Sequence, residues 1–212
     1  MQTIRVVLVD DHAMVRQGLA QVLQDSEEIQ VVGQAGDGLE AIDLVKTEQP
    51  DVVVLDYTLP RIGGVTAVEQ IRKLCPKTKI LVLTVHENIH YAVKVLEAGA
   101  HGFVIKAAAV QELVQGVRSV HQGRVYVSPF ISEKMAENLR EGRHRSGVSA
   151  LSKREFQLLT VLGGGMRLQD CAETMQITES TASTYRTRIL EKLKLNTTAE
   201  LIRFALENGI VG

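Results

Sequence analysis

The apolar run Val6–Val9 stops abruptly at Asp10 and Asp11. Two adjacent carboxylates repel each other unless water or a cation comes between them, so the pair is either a solvated turn or part of a cation site. Three further apolar runs end in polar residues: Val52–Leu55 in Asp56, Ile80–Leu83 in Thr84 and Phe103–Ile105 in Lys106. Singly, each is an ordinary strand end. Together they supply three hard oxygen ligands, a hydroxyl and a point cation, which is the equipment for phosphoryl transfer. Oxygen ligands that leave room for water suit Mg²⁺, Lys106 suits an anionic substrate, and Asp56 is a candidate nucleophile because carboxylates form acyl phosphates.

These groups meet only if the strands that carry them share one edge. Five apolar runs without polar alternation (4–10, 29–35, 51–56, 79–84 and 101–106) alternate with five amphipathic stretches (15–25, 38–48, 64–74, 89–99 and 110–120). Strands of that kind are covered on both faces, which predicts a five-stranded parallel sheet flanked by helices. Right-handed crossovers make it a doubly wound α/β domain. Ligands of such sheets bind beyond the carboxyl ends of the strands, where the strand order switches. Neighbouring strands run about 5 Å apart, so carboxylates at two tips come within reach of one ion.

Near residue 125 the pattern changes. Ser152 with Glu155 three residues on is a capping box opening a helix that Gly163–Gly165 stop. A short helix over 167–175, a turn at "QITES", a longer helix over 179–195 and a last one over 197–209 complete an all-α module with helix-turn-helix geometry. A helical dimerisation or docking module is the other reading of such a segment. On the third helix, Ala182, Tyr185, Ile189 and Leu193 form an inward seam, while Ser180, Ser183, Thr184 and Thr187 occupy the opposite face. Small hydroxyls there can reach base edges or phosphates. Arg186 and Arg188 flank that face, and Lys192 and Lys194 add charge against only Glu179 and Glu191. The division expected is 1–124, a polar linker over 125–148 that includes "NLREGRHRSG", and 149–212.

A net charge of −1 says nothing by itself about nucleic acid or membrane. No run of eighteen apolar residues predicts a membrane span, and the start "MQTIRVVLVDD" lacks the zones of a signal peptide. Cys75 and Cys171 have no metal-ligand spacing and read as reduced thiols, Cys171 as a buried one. A cytoplasmic protein is expected. A turnover enzyme would need a substrate pocket with a Gly-rich phosphate loop or a further general base, and neither is evident.

Residues 4 to about 122 resemble the receiver domain of two-component response regulators. The resemblance rests on the "DD" after the first strand, Asp56 followed by "YTLP" and a glycine pair, "LT" ending the fourth strand and "FVIK" ending the fifth. It implies that Asp56 is the phosphoacceptor for a sensor histidine kinase or a small phosphodonor. Asp10, Asp11, Asp56 and the backbone carbonyl of Thr58 would hold Mg²⁺, and Lys106 would contact the phosphoryl group. Thr84 and Phe103 would be the switch pair. Residues "LSKRE" and "DCAETMQITESTASTYRTRILEKLKLNTTAELI" resemble the LuxR-type helix-turn-helix of response regulators similar to NarL and FixJ. That likeness implies binding to double-stranded DNA through Ser183, Thr184 and Thr187, with Tyr185, Arg186, Arg188 and Lys192 as further contacts. It also implies homodimerisation on phosphorylation or on DNA, and no enzymatic activity beyond Mg²⁺-dependent self-phosphorylation and slow autodephosphorylation. The alternative within the family is a receiver that works as a docking domain independently of phosphorylation.

Overall fold

The computed structural model describes residues 3–140, 147–208 and 210–211. The chain divides into two compact units, Met1–Met135 and Ala136–Gly212.

The first unit alternates strand and helix: β1 (Ile4–Val9), α1 (Ala13–Gln24), β2 (Ile29–Ala35), α2 (Gly38–Glu48), β3 (Val52–Asp56), α3 (Gly64–Leu74), β4 (Lys79–Thr84), α4 (Ile89–Glu97), β5 (Gly102–Ile105) and α5 (Ala109–His121). All pairings are parallel, in the order β2-β1-β3-β4-β5. Every residue of β3 is buried, as befits the middle of a sheet covered on both sides. One core joins Leu19 and Leu23 of α1 with Leu113 and Val117 of α5 against Val6, Leu8, Val54, Leu83 and Val104. Side chains alternate along a strand, so Val7, Val53, Val82 and Phe103 take the opposite face. There Ala41, Val45, Val68, Ile71, Tyr91 and Val95 of α2, α3 and α4 are buried.

Among the described residues the sheet has six strands, which corrects the five expected. β6 (Tyr126–Val127) pairs with β5 in register Phe103↔Val127 and closes the order as β2-β1-β3-β4-β5-β6. Two residues are too short to give a periodic signal. The stretch 125–148, read above as linker, therefore contains β6 and a helix, α6 (Pro129–Arg140). Pro129 opens that helix, where its missing N–H is no loss, and Ile131 is fully buried. The rest of the charged linker sequence, 141–146, lies outside the described residues.

A close approach explains one glycine of the pair after Asp56. A Cβ on Gly64 would lie 2.5 Å from the carbonyl oxygen of Tyr57, whereas one on Gly63 would meet nothing. Gly64→Ala forces that loop to shift and should destabilise the first unit by about 2 kcal/mol, measured as a lower urea midpoint.

The second unit holds α7 (Lys153–Gly163), α8 (Leu168–Thr174), α9 (Glu179–Leu193) and α10 (Thr198–Glu207). The capping box expected at Ser152 and Glu155 is present, and a second one joins Thr197 to Glu200. Leu158, Leu159, Cys171, Ala182, Ile189, Leu201 and Ala205 form its interior. Among the described residues, no helix is long and apolar enough to cross a membrane.

Candidate functional site

The strand order puts β1 beside β3, so the two tips bring Asp10 and Asp56 together. Both are buried, Asp10 completely and Asp56 to 2% exposure. The carboxylates are fixed by local backbone: Asp10 Oδ1 accepts the His12 N–H at 2.9 Å, and Asp56 Oδ1 accepts the Thr58 N–H at 3.2 Å. Between them sits the Lys106 ammonium, from the residue after β5, 2.7 Å from Asp56 Oδ2 and 2.6 Å from Asp10 Oδ2. It donates a hydrogen bond to Asp56 but meets Asp10 as a charge, not as an aligned donor.

Burial dominates the electrostatics and opposes each charge. It pushes the Asp56 carboxyl above its ordinary value, helped by the negative charge of Asp10 and opposed by Lys106 and the Thr58 amide. Burial alone would lower Lys106, but its close contacts with the Asp10 and Asp56 carboxylates outweigh that and hold it above its ordinary value. Lys106 thus offsets part of the burial that disfavours a charged Asp56.

Asp11 is more exposed, and His12 Nδ1 lies 2.7 Å from its Oδ1. Oxygen or nitrogen ligand atoms of Asp10, Asp11, His12 and Asp56 all lie within 4.8 Å of one another. Three carboxylates at that spacing, one with an oxygen lacking an aligned donor, are a donor set that fits a hard divalent cation such as Mg²⁺. Sequence reasoning passed over His12, although it directly follows the aspartate pair. It also passed over Arg16, whose Nη1 donates to the Asp10 carbonyl at 2.5 Å.

Thr84 is fully buried at the end of β4, and its hydroxyl accepts the His86 N–H at 3.0 Å. Phe103, three residues before Lys106, is fully buried in β5. Thr58 is exposed beside Asp56. Beyond the pocket, His86 stacks on Tyr91 with ring centroids 4.2 Å apart, and Tyr57 meets Tyr91 edge-on at 4.8 Å. Burial, then the charge of Tyr91, pushes the Tyr57 phenol up, while burial pushes His86 down. The cluster therefore packs as a neutral wall. His90 and His101 are half-buried and His121 is exposed. His101 Nδ1 accepts the Ile80 N–H at 3.2 Å.

In the second unit α8 and α9 are joined through a turn in which Gln176 has φ 54°, and Thr178 caps α9 by accepting the Thr181 N–H. Thr184 and Thr187 are exposed, with hydroxyls that donate to the Ser180 and Ser183 carbonyls at 3.0 and 3.1 Å. Their methyl groups and remaining lone pairs are left for a partner. Ser183, Tyr185 and Arg186 are half-buried and Arg188 is exposed. The Nε of Arg186 is buried without a hydrogen-bond partner among the described residues. Lys192 does not share the open face as a free charge: its ammonium donates to buried Glu155 at 2.6 Å, clasping α9 to the start of α7. Cys171 is fully buried, and burial pushes its thiol up.

Residues 6–118 match the response regulator receiver domain, and residues 149–205 match the bacterial regulatory proteins of the luxR family. The chain is 36% identical over 209 residues to the response regulator GacA of Pseudomonas aeruginosa, covering 98% of each. It is 36% identical over 208 residues to the response regulator UvrY of Escherichia coli, covering 98% of this chain and 95% of that one. Among solved structures, a LuxR-family two-component response regulator from Aurantimonas is 39% identical, with a TM-score of 0.63 over 65% of this chain and 98% of that one. RcsB of Salmonella enterica, solved bound to the promoter rprA in the presence of the phosphomimetic BeF3−, shares the fold at 22% identity, with a TM-score of 0.75 over 96% of this chain and 98% of that one. With both domain types in one chain and near-complete coverage of such relatives, this protein belongs to the two-component response regulators of the NarL/FixJ family, which join a receiver domain to a LuxR-type helix-turn-helix.

Proposed function

We propose that the protein is a phosphorylation-controlled transcriptional regulator of the cytoplasm, with its receiver over 1–124 and its DNA-binding module over 149–212. The observation that carries this reading is the buried Asp56 carboxylate held 2.7 Å from the Lys106 ammonium beside Asp10 and Asp11. Asp10, Asp11, Asp56 and the Thr58 carbonyl hold Mg²⁺, which when bound neutralises the acid cluster against an incoming phosphodonor. An Asp56 oxygen attacks the phosphorus of a sensor kinase phosphohistidine or a small acyl phosphate. A new P–O bond forms, and the donor's bond to phosphorus breaks with its electron pair leaving on the donor. Lys106 turns from the two carboxylates to the phosphoryl oxygens, and Thr84 gives up the His86 amide to donate to them. With Phe103 these shifts favour a receiver surface that self-associates.

Two copies of α9 would then read half-sites about one DNA turn apart, with Ser183, Thr184 and Thr187 on base edges and Tyr185, Arg186 and Arg188 on the backbone. Lys192 holds α9 in place through Glu155 and reaches phosphate only at the edge of the site. In RcsB, which shares this fold, a structure holds a promoter in the presence of the phosphomimetic BeF3−.

The test is the affinity of wild-type protein for a double-stranded fragment enriched from a random pool, with and without Mg²⁺ and acetyl phosphate. Affinity should rise about tenfold on phosphorylation and fall steeply with salt. No binding to any enriched fragment, or binding insensitive to salt, would remove the DNA half of the reading.

A further inference from the structure

The chain that leaves the receiver is hydrogen-bonded to the two places that a phosphoryl group on Asp56 would disturb. The backbone N–H groups of Tyr126 and Ser128 donate to the carbonyls of His101 and Phe103, at 3.1 and 2.9 Å. The Ser128 hydroxyl, 1% exposed, does two things at once. It accepts the Ile105 N–H at 3.2 Å, and it donates to Glu112 Oε2 of α5 at 2.5 Å. Ile105 is the residue before Lys106, so the backbone one peptide short of the pocket lysine is held by a serine of the outgoing segment. Tyr126 adds its phenol to the same Glu112 oxygen at 3.4 Å.

A second tie lies one turn further on. Lys134 of α6 stands over the Phe130 ring at 4.0 Å, and its ammonium donates to the Glu87 carbonyl at 3.4 Å. Glu87 is three residues beyond Thr84, in the loop whose start the Thr84 hydroxyl holds through the His86 amide. Residues 126–134 therefore hold both the β5 end, with Phe103 and Lys106, and the loop after Thr84.

We propose that Ser128 and Glu112 form a latch that passes the state of the Asp56 pocket to α6, and so to the chain leading into the DNA-binding unit. This rests on the phosphorylation reading above. When Lys106 exchanges carboxylates for phosphoryl oxygens, its backbone anchor shifts, and the Ile105 amide carries that shift to Ser128. Ser128 and Glu112 are positioning residues: neither touches the phosphoryl group. Coupling of this kind is reciprocal, since whatever the pocket does to α6, α6 does to the pocket.

The experiment compares full-length wild type, Ser128→Ala, Ser128→Thr and Glu112→Ala. Each is incubated with Mg²⁺ and acetyl phosphate, scored by intact mass and titrated on the enriched DNA fragment with and without modification. Ser128→Ala and Glu112→Ala should gain the full phosphoryl mass, yet the roughly tenfold affinity ratio between modified and unmodified protein should fall to near one. Ser128→Thr, which keeps the hydroxyl, should restore the ratio, a rescue that a merely structural role would not give. The double variant Ser128→Ala/Glu112→Ala should be no worse than either single one. Should Ser128→Ala fail to fold, Glu112→Ala, altered at a half-buried helix position, decides alone. A wild-type ratio in fully modified Glu112→Ala or Ser128→Ala overturns the latch and leaves the phosphorylation reading intact. Absence of mass gain in wild type overturns that reading, and the latch with it.

Discussion

Asp56→Asn should take up no phosphoryl group from acetyl phosphate and Mg²⁺, where wild type gains one per chain by intact mass. The amide has no anionic oxygen to attack phosphorus, and Asp10, the other carboxylate on the ammonium, lies on a different strand tip with one oxygen tied to the His12 amide. Loss of uptake cannot be put down to loss of the fold. Burial holds the Asp56 carboxyl above its ordinary value, so its charge opposes folding at neutral pH, and Asn removes that charge. Lys106 retains Asp10 as its charge partner. The variant should therefore be at least as stable to urea as wild type in metal-free buffer. A mass gain in Asp56→Asn equal to that of wild type would place the acceptor elsewhere, and Asp11, the exposed carboxylate of the cluster, would be the next to replace.

The second large effect is expected in the other unit. Glu155 is 2% exposed, and its Oε2 accepts both the Ser152 N–H and the Lys192 ammonium at 2.6 Å. Glu155→Ala removes the capping box and the only clasp described between Lys192 and α7. Losing one partner of a buried pair costs about 3–5 kcal/mol, but the Lys192 side chain is 38% exposed and can return to water. About 2–3 kcal/mol, cap included, is the expected loss. Hydrogen exchange of α7 and α9 amides should report it residue by residue.

The same group sets an acid limit. Burial alone would raise Glu155, but the Lys192 bond and the Ser152 amide outweigh it and hold the carboxyl below its ordinary value of 4.5. A depressed carboxyl stabilises the fold fully above that value, and the contribution disappears as pH falls through the folded-state pKa beneath it. Protection of α7 and α9 should therefore drop in this acid window in wild type. It should be flatter in Glu155→Gln, which keeps an acceptor for Ser152 but has no charge to lose. Equal slopes in the two proteins would assign the acid sensitivity to other carboxylates.

Much of the arrangement was legible in the residues. The unbroken apolar runs marked five strands to within a residue or two because each is buried on both faces and needs no polar alternation. Ser152 and Glu155 announced the start of α7, since a capping box is a contact over three residues and so is written locally. The seam of α9 was readable at Ala182 and Ile189, both fully buried, because one helix face repeats at a fixed spacing. Resemblance then supplied roles that spacing alone does not give.

Other features were decided only by the tertiary structure. Nothing local says that β1 lies against β3, yet that pairing lets Asp10 and Asp56 share one lysine across 96 and 50 residues of chain. β6 is two residues long and exists because the edge of β5 offers His101 and Phe103 carbonyls to it. Lys192 reads as a DNA-facing charge on a helical wheel, but a buried carboxylate 37 residues away claims it. Ser128 reads as a linker residue, and the fold makes it the hydroxyl between Ile105 and Glu112. Periodicity and capping act over one or two helical turns, so a chain displays them in its own order. Which donor meets which acceptor across a sheet depends on how layers pack, and only the folded chain brings those atoms to hydrogen-bond distance.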